Sequence, residues 1–409
     1  EDEWAPGQST FPPLLKKSYL PLKMKGEKNK IDQILERING SGEINEEQII
    51  ILLNSRGLEF ERVCEFANKL RKKVSGEEVT YAVNRNINYT NVCYFRCGFC
   101  AFSKGKMSEN LRGKPYNLEL DEIVSRAREA WDRGASEVCL QGGIHPSYTG
   151  ETYLQICKAI HEAVPRIHIH AFSPLEISQG ASTLGLSVPE FLEKLRDSGL
   201  GTLPGTAAEV LDDEVRNIIC PDKLSTQEWL SVMRDAHEVG FRTTATIMFG
   251  HLEAPYHVAR HLLRIRELQK ETGGFTEFVP LPFVHMEAPI YLKGKSRMGP
   301  TFREAVLIHA VARIVLNPFI QNIQTSWVKM GPEGVKACLD AGANDLGGTL
   351  MNESITRAAG TVHGQEMLPE RMEALIRQTG RIPRQRDTLY RIPDPIQNSK
   401  SYGNQLINQ

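Results

Sequence analysis

No stretch of this sequence approaches the ~20 consecutive apolar residues that a membrane-spanning helix requires, and no such helix is read from it. The opening residues, Glu1-Asp2-Glu3-Trp4, lack the basic start and apolar core of a secretory signal. They also lack an initiating Met, so the chain reads as a processed form or as one segment of a longer fusion. An excess of either charge is missing too: 49 basic residues face 50 acidic ones, for a net charge of -1. That balance offers no chain-wide basic face for nucleic acid. A local cluster of Lys16, Lys17, Lys23, Lys25, Lys28 and Lys30 reads as a solvated segment. Without an export signal, the eight cysteines are not read as a disulfide framework. They fit a reducing compartment, where clustered cysteines bind metal or do chemistry. The expectation is the cytoplasm, or an organellar stroma or matrix if a transit peptide has been removed.

What is present is the composition of a core-forming protein, 41% hydrophobic and 24% charged over 409 residues. Residues 1–29 have no sustained period and read as an extended arm or linker. A helical extension over 30–80 follows, with Ile31, Ile34, Leu35 and Ile38 spaced for one helical face. Next comes a strand-then-helix rhythm. Strands are predicted at Val83–Asn91, Glu137–Gln141, Ile167–Phe172, Gly201–Thr206, Arg242–Met248, Glu277–Leu281, Gln321–Thr325 and Asp345–Gly348. Helices are predicted between them, among others at Asp121–Arg133, Tyr153–Ala163, Thr226–Val239 and Phe302–Leu316. About eight such units imply parallel pairing and an α/β fold of the (βα)8 TIM-barrel type over 81–380. A doubly wound sheet competes, but no Gly-x-Gly-x-x-Gly follows the first strand. The Pro- and Asn-rich residues 381–409 read as a tail wrapping the surface.

The chemistry concentrates in Asn91-Val-Cys-Tyr-Phe-Arg-Cys-Gly-Phe-Cys-Ala-Phe-Ser-Lys104. Cys93, Cys97 and Cys100 have the spacing C-x3-C-x2-C. Thiolates are natural ligands of iron–sulfur clusters. A cubane cluster has four irons, so three local cysteines leave one iron open to a small molecule. The loop follows the first strand, which puts it at the C-terminal face, where barrel enzymes do their chemistry. The competing readings are a zinc site completed by a remote His, or inert core thiols. Zinc sites usually pair C-x2-C with a second close ligand pair, and none exists here. The isolated Cys64, Cys139, Cys157, Cys220 and Cys338 read as core.

This signature, with the aromatic Phe99 before the last cysteine, resembles that of the radical S-adenosylmethionine (SAM) superfamily. The flanking Asn84-Arg-Asn-Ile-Asn-Tyr-Thr-Asn-Val-Cys93 is similar to the group containing FO synthase and menaquinone-pathway enzymes. So are Leu203-Pro-Gly-Thr-Ala-Ala-Glu-Val-Leu-Asp-Asp-Glu-Val-Arg216, Thr243-Thr-Ala-Thr-Ile-Met-Phe-Gly-His251 and Gly342-Ala-Asn-Asp-Leu-Gly-Gly-Thr-Leu-Met-Asn-Glu353. Within that group, the cysteine loop and Trp327-Val-Lys-Met most resemble the tyrosine-using half of FO synthase. The resemblance implies a 4Fe-4S cluster whose open iron binds SAM. One electron then releases a 5'-deoxyadenosyl radical. It further implies hydrogen abstraction from the tyrosine amine, Cα–Cβ cleavage, and transfer of the 4-hydroxybenzyl unit to 5-amino-6-(D-ribitylamino)uracil. A reductant protein and a second radical SAM half, fused or separate, are the implied partners. Neither nucleic acid nor membrane is expected. Such chemistry calls for a deep, largely dry barrel lumen.

The resemblance also assigns candidate cofactor-binding residues. Gln141-Gly142-Gly143 stands where the superfamily has Gly-Gly-Glu, the motif that holds the SAM amino group, but Ile144 replaces the acid. Glu176 and Glu209 follow strands three and four, where a carboxylate can bind ribose hydroxyls or an ammonium. Arg216 is a candidate for the methionine carboxylate, since Arg holds carboxylates bidentately. Each also reads as a helix cap or an ion pair. His168 and His170 alternate on one face of strand three. His251 and His285 follow strands five and six and are the catalytic candidates, orienting substrate or moving protons. Asn344, Asp345 and Glu353 surround strand eight. Two rivals remain: an aminofutalosine synthase-like enzyme, in which the adenosyl radical adds to an enolpyruvate ether, and an iron–sulfur electron carrier or zinc-binding structural protein.

Overall fold

The computed structural model describes residues 4–7, 29–40, 42–95, 97–100, 114–351 and 366–403. Three helices open the chain: α1 (Lys30–Asn39), α2 (Glu46–Leu53) and α3 (Gly57–Ser75). Side chains supply the first two starts. Asn29 accepts from the Ile31 N–H, and Asn45 and Gln48 form a reciprocal capping box. The three helices span Lys30 to Ser75, and the first strand begins at Glu78.

The barrel strands are β1 (Glu78–Ala82), β2 (Asn84–Asn88), β3 (Glu137–Gln141), β4 (His168–Ala171), β5 (Thr202–Leu203), β6 (Arg242–Phe249), β7 (Phe275–Pro282) and β8 (Asp345–Gly348). A parallel sheet runs β2-β3-β4-β5-β6-β7. Single parallel bridges carry it onward, Phe278 to Ile323 and Gln324 to Asp345. Strand β8 then pairs β1, and Arg85 bridges Met351. The parallel α/β barrel expected from the strand rhythm is thus a six-stranded curled sheet whose ring is completed by β1, β8 and isolated bridges.

Several strands are shorter than expected, and two of them are cut back for a clear local reason. Strand β5 stops at Leu203 because Pro204 has no N–H to continue the ladder. The seventh position, around Gln321–Thr325, shrinks to bridges because side chains take over its pairing. Asn344 Oδ1 accepts from Ile323 N at 2.9 Å, and Asn322 Nδ2 donates to Thr276 O at 2.9 Å.

The main helices around the sheet are α4 (Leu120–Asp132), α5 (Gly150–Ala163), α6 (Pro174–Thr183), α7 (Val188–Asp197), α8 (Asp213–Ile219), α9 (Thr226–Val239), α10 (Pro255–Thr272), α11 (Pro289–Leu292), α12 (Phe302–Leu316), α13 (Trp327–Leu339) and α14 (Pro369–Gln378). Helix α12 is buried on every side, so it needs cover on both faces. Helices α2 and α3 provide it on the outside, with α10 and α13 alongside. This explains why a helical extension precedes the barrel. Among the described residues no helix is long and apolar enough to cross a membrane.

The segment from Arg381 departs from its expected course over the surface. Ile382–Arg386 form β9, parallel to β1. The buried Arg386 guanidinium then reaches Asp345, with Nε to Oδ2 at 2.5 Å and Nη2 to Oδ1 at 3.0 Å. The tail therefore seals the N-terminal end of the barrel. Its alternating charged residues resemble a solvated segment in sequence, and only the pairing reveals their partners.

Candidate functional site

The loop carrying the three cysteines leaves β2 at the C-terminal end of the sheet and is pinned at both ends. On one side Thr90 Oγ1 donates to Tyr116 O at 2.8 Å, and Asn91 Oδ1 accepts from Tyr116 N at 2.8 Å. On the other, Gly98 N donates to Ile219 O at 2.8 Å, while Ile290 N donates to Gly98 O at 2.6 Å. Cys93, Cys97 and Cys100 are half-buried, and none is in a disulfide among the described residues. Burial pushes the Cys97 thiol up to about 12. All three line one cavity of about 160 Å³ together with Gln141, Gly142, Gly143 and Glu176.

The two glycines permit this approach. A Cβ on Gly143 would lie 2.2 Å from Val92 O and 2.8 Å from Cys93 Cβ. On Gly142 it would lie 2.3 Å from the Tyr89 ring. The glycines are therefore a clamp on the cysteine loop as well as a wall of the cavity. Tyr94 N donates to Ile144 O at 3.2 Å, extending the clamp. Ile144 itself packs with Phe95 and Leu175 against Cys93 and Cys97.

Glu176 is the third residue of α6 and caps it, Oε2 accepting from Ser173 N at 2.7 Å. Its Oε1 is buried with no well-directed donor among the described residues. Burial pushes this carboxyl up to about 8, against the opposing pull of the Ser173 and Gly142 backbone N–H groups. The capping and cavity readings of Glu176 thus both have a place in the geometry.

Lys223, which sequence reasoning passed over, lines the same cavity. Its Nζ lies 3.5 Å from Glu209 Oε1 and 4.9 Å from the centre of the Phe99 ring. Burial works against its charge, but neighbouring Cys97 and Glu209 outweigh that and raise its pKa. Phe99 does not reach the cavity wall and Phe95 does. A usable signal existed in Cys220-Pro-Asp-Lys223, a break directly after α8, but a lone lysine in a loop carries little information by itself.

Arg216 differs from the expectation. It is 2% exposed, and its guanidinium donates to the carbonyls of Ala207, Ala208 and Leu224. All these acceptors are backbone, so Arg216 braces the turn after β5 and does not line the cavity. That turn is unusual, because Ala207 and Glu209 adopt left-handed φ values of 60° and 47°. Such conformations cost roughly 1–3 kcal/mol and persist where the surroundings impose them.

His251 and His285 also fall outside the cavities. The His251 ring is saturated locally, Nε2 contacting Met248 O at 2.9 Å and Nδ1 accepting from Leu252 N at 2.8 Å. His285 packs edge-on against Tyr291, with ring centres 4.5 Å apart. Position after a strand placed both near the mouth, but their rings turn into the loops. Asn344 and Asp345 likewise serve pairing and the Arg386 ion pair. Glu353 lies outside the described residues.

A second cavity, of about 360 Å³, runs down the barrel axis and shares Gln141, Thr206 and Ala207 with the first. Alternate strand residues face it, as period two requires: Asn84 and Asn86, Glu137, Cys139 and Gln141, Thr244, Thr246 and Met248. The lumen is deep, and polar strand side chains alternate on its wall with apolar ones such as Val279, Leu281, Val328 and Leu350. Cys139, expected in the core, belongs to this wall. Of the two expected histidines, His170 lines the lumen. His168 turns to Thr202, its Nε2 at 2.8 Å from Oγ1.

Comparison with known proteins agrees with this geometry. The radical SAM superfamily model matches residues 87–264, and the CofH/MqnC C-terminal region matches residues 272–399. The chain is 47% identical over 353 residues to the 5-amino-6-(D-ribitylamino)uracil–L-tyrosine 4-hydroxyphenyl transferase of Methanocaldococcus jannaschii, covering 86% of this chain and 97% of that protein. It is also 47% identical over 347 residues to the FO synthase of Streptomyces coelicolor, but spans only 40% of that protein's length. Among solved structures, methylornithine synthase (PylB) aligns with a TM-score of 0.65 at 17% identity, covering 86% of this chain and 97% of that one. The FeFe-hydrogenase maturase HydG from Carboxydothermus hydrogenoformans aligns at 0.68 and 18% identity, covering 88% and 81%. At these identities the two structures speak to the fold alone. With the cysteine loop, the barrel and both sequence matches in agreement, the chain belongs to the radical SAM superfamily, in the branch that carries a CofH/MqnC C-terminal region.

Proposed function

We propose that this chain transfers the 4-hydroxybenzyl group of L-tyrosine to 5-amino-6-(D-ribitylamino)uracil, a step in the making of the deazaflavin FO. The observation that carries the reading is the near-complete coverage of the M. jannaschii transferase at 47% identity, joined to a cysteine-lined cavity that opens into a large lumen. Membership of the superfamily implies a 4Fe-4S cluster and SAM. The residues present fit them: three cysteine thiols around one cavity, a two-glycine clamp, and a buried carboxyl on the cavity wall. Cys93, Cys97 and Cys100 would hold three irons and leave the fourth to SAM. When bound, the cluster supplies the electron that splits SAM and yields a 5'-deoxyadenosyl radical.

The protein's own part is binding, orientation and exclusion of water. Glu176 stands in for the acid that Ile144 replaces, its carboxyl and the cavity-lining Gly142 and Gly143 backbone receiving the SAM ammonium. Lys223 takes the role first assigned to Arg216 and pairs with the methionine carboxylate, as the charged lysine of this cavity. A reductant protein must deliver the electron. Because the chain spans 40% of the FO synthase from S. coelicolor, closure of the deazaflavin ring is assigned to a second radical SAM half, fused or separate. A reducing compartment suits all of this.

The two cations predict different failures. Lys223→Met weakens binding of S-adenosylhomocysteine about tenfold or more, the worth of one charge-assisted hydrogen bond. Binding of methylthioadenosine, which has no carboxylate, stays within about twofold on the same scale. Arg216→Met instead costs about 3 kcal/mol of stability, because the carbonyls of Ala207, Ala208 and Leu224 lose a charged donor. Calorimetric titration and thermal melts separate the two. The functional reading itself is tested by product analysis with SAM, tyrosine and the aminouracil. An adenosyl adduct in place of 5'-deoxyadenosine would favour the aminofutalosine synthase-like alternative.

A further inference from the structure

We propose that the lumen sorts its two substrates by charge: the floor binds the uncharged, polyhydroxylated ribityl end of the aminouracil, and the mouth holds the carboxylate of tyrosine. This rests on the functional reading above and adds to it where each substrate lies.

The two ends of the cavity differ in sign. At the mouth two cations face one lumen-lining carboxylate: Lys223 is engaged by Glu209 at 3.5 Å and by SAM on the reading above, so Lys329, with Nζ 3.3 Å from Pro282 O at the end of β7, is the one that receives the tyrosine carboxylate. At the floor the balance reverses. Arg386 is already engaged by Asp345 at 2.5 Å and lies 3.5 Å from Glu277. Glu137 adds a third carboxylate, held by Asn84 Nδ2 at 3.1 Å and Thr388 Oγ1 at 2.5 Å. One cation therefore faces three carboxyl groups. Burial pushes Glu277 up to about 7, which relieves part of that excess with a proton. A substrate carboxylate lowered to this depth would meet repulsion in a medium that screens it poorly.

What the floor offers instead is neutral hydrogen bonding. Asn86 Oδ1 is buried and has no partner among the described residues, although Asn86 lines the cavity. Such an oxygen calls for a donor, since an unmet buried acceptor is costly. His170 has its Nδ1 on Thr202 at 2.6 Å, and burial pulls its pKa down to about 4, so the ring is neutral with Nε2 still to offer. Each hydroxyl of a ribityl chain can both donate and accept without bringing charge. The order also suits the reaction. The radical arises at the cysteine end, so the tyrosine amine must lie there, and the pyrimidine ring extends its chain downward.

The test uses anaerobically reconstituted holoenzyme and two calorimetric probes, 5-amino-6-(D-ribitylamino)uracil and tyrosine. Asn86→Leu removes no side-chain hydrogen bond among the described residues and is the primary variant; Glu277→Gln is the second. The expected result is a loss of about tenfold or more in aminouracil affinity for Asn86→Leu, with tyrosine affinity within about twofold. The truncated 5,6-diaminouracil should lose much less. Unchanged aminouracil binding in both variants overturns the inference, and so does a selective loss of tyrosine binding. A wild-type holoenzyme that binds neither probe fails the functional reading itself, which is a different result from either.

Discussion

Replacing Cys97 with Ala abolishes cluster loading and, with it, all SAM cleavage, down to background. The reason lies in ligand count. The cavity wall contributes three thiols, and a cubane cluster held by three cysteines has none to spare. Cys220, near enough to Cys97 to act on its thiol, sits in the core at 1% exposure and does not line the cavity. A slipped ligand set is therefore not within reach. The fold should survive, because Cys97 packs at the edge of the core and its loop is pinned by the backbone bonds at Gly98. Iron content and the visible absorption of the cluster should both vanish while the thermal melt of the apo-protein moves little. Retained cluster absorption in this variant would contradict the assignment.

Gly143→Ala is expected to be nearly as damaging without touching any ligand. Its new methyl would stand 2.2 Å from Val92 O, a backbone atom that cannot swing aside. Relief must come from moving the Cys93 turn or the end of β3. Overpacking of this kind typically costs about 1–3 kcal/mol, which a protein of this size can tolerate. Misplacement by ~1 Å at a ligand loop is less forgiving for chemistry. We expect cluster occupancy to fall by more than about half and the remaining SAM turnover to drop by about a hundredfold, on that same principle. Gly40→Ala is the control. Its φ is -88°, and its Cβ would meet nothing closer than 3.6 Å, so occupancy and melting should be unchanged.

The comparison of these two glycines shows what a sequence can disclose. Gly142 and Gly143 were read as a place for close approach of backbone to a ligand, and they line the cysteine-lined cavity. That they also press on the cysteine loop was not legible, since the contact joins residues about fifty positions apart. The three cysteines were legible because their chemistry depends on local spacing. The barrel followed from strands and helices whose periods are also local. Arg216, His251 and His285 were misplaced for one common reason. Topology locates a residue at the mouth, but only packing decides whether its side chain turns inward: Arg216 and His251 are taken up by nearby backbone, and the His285 ring packs on Tyr291 with its buried Nδ1 unpartnered among the described residues. Lys223 and the floor residues Glu277 and Arg386 were missed from the opposite direction. Each is an ordinary charged residue in its own segment, and its meaning arises from partners on other strands. Strand β9 is the clearest case, because five residues with a tail's composition become the seal of the barrel.

The central claim is that one chain joins the cysteine-lined cavity to tyrosine cleavage on a two-ended lumen. Its most direct test is a single anaerobic incubation of reconstituted protein with reductant, SAM, tyrosine and 5-amino-6-(D-ribitylamino)uracil, read by mass spectrometry. The account predicts free 5'-deoxyadenosine that depends on tyrosine, together with a product whose mass is that of the aminouracil bearing a 4-hydroxybenzyl group. Cleavage of SAM without consumption of tyrosine, or an adenosyl group found covalently on the product, would contradict it.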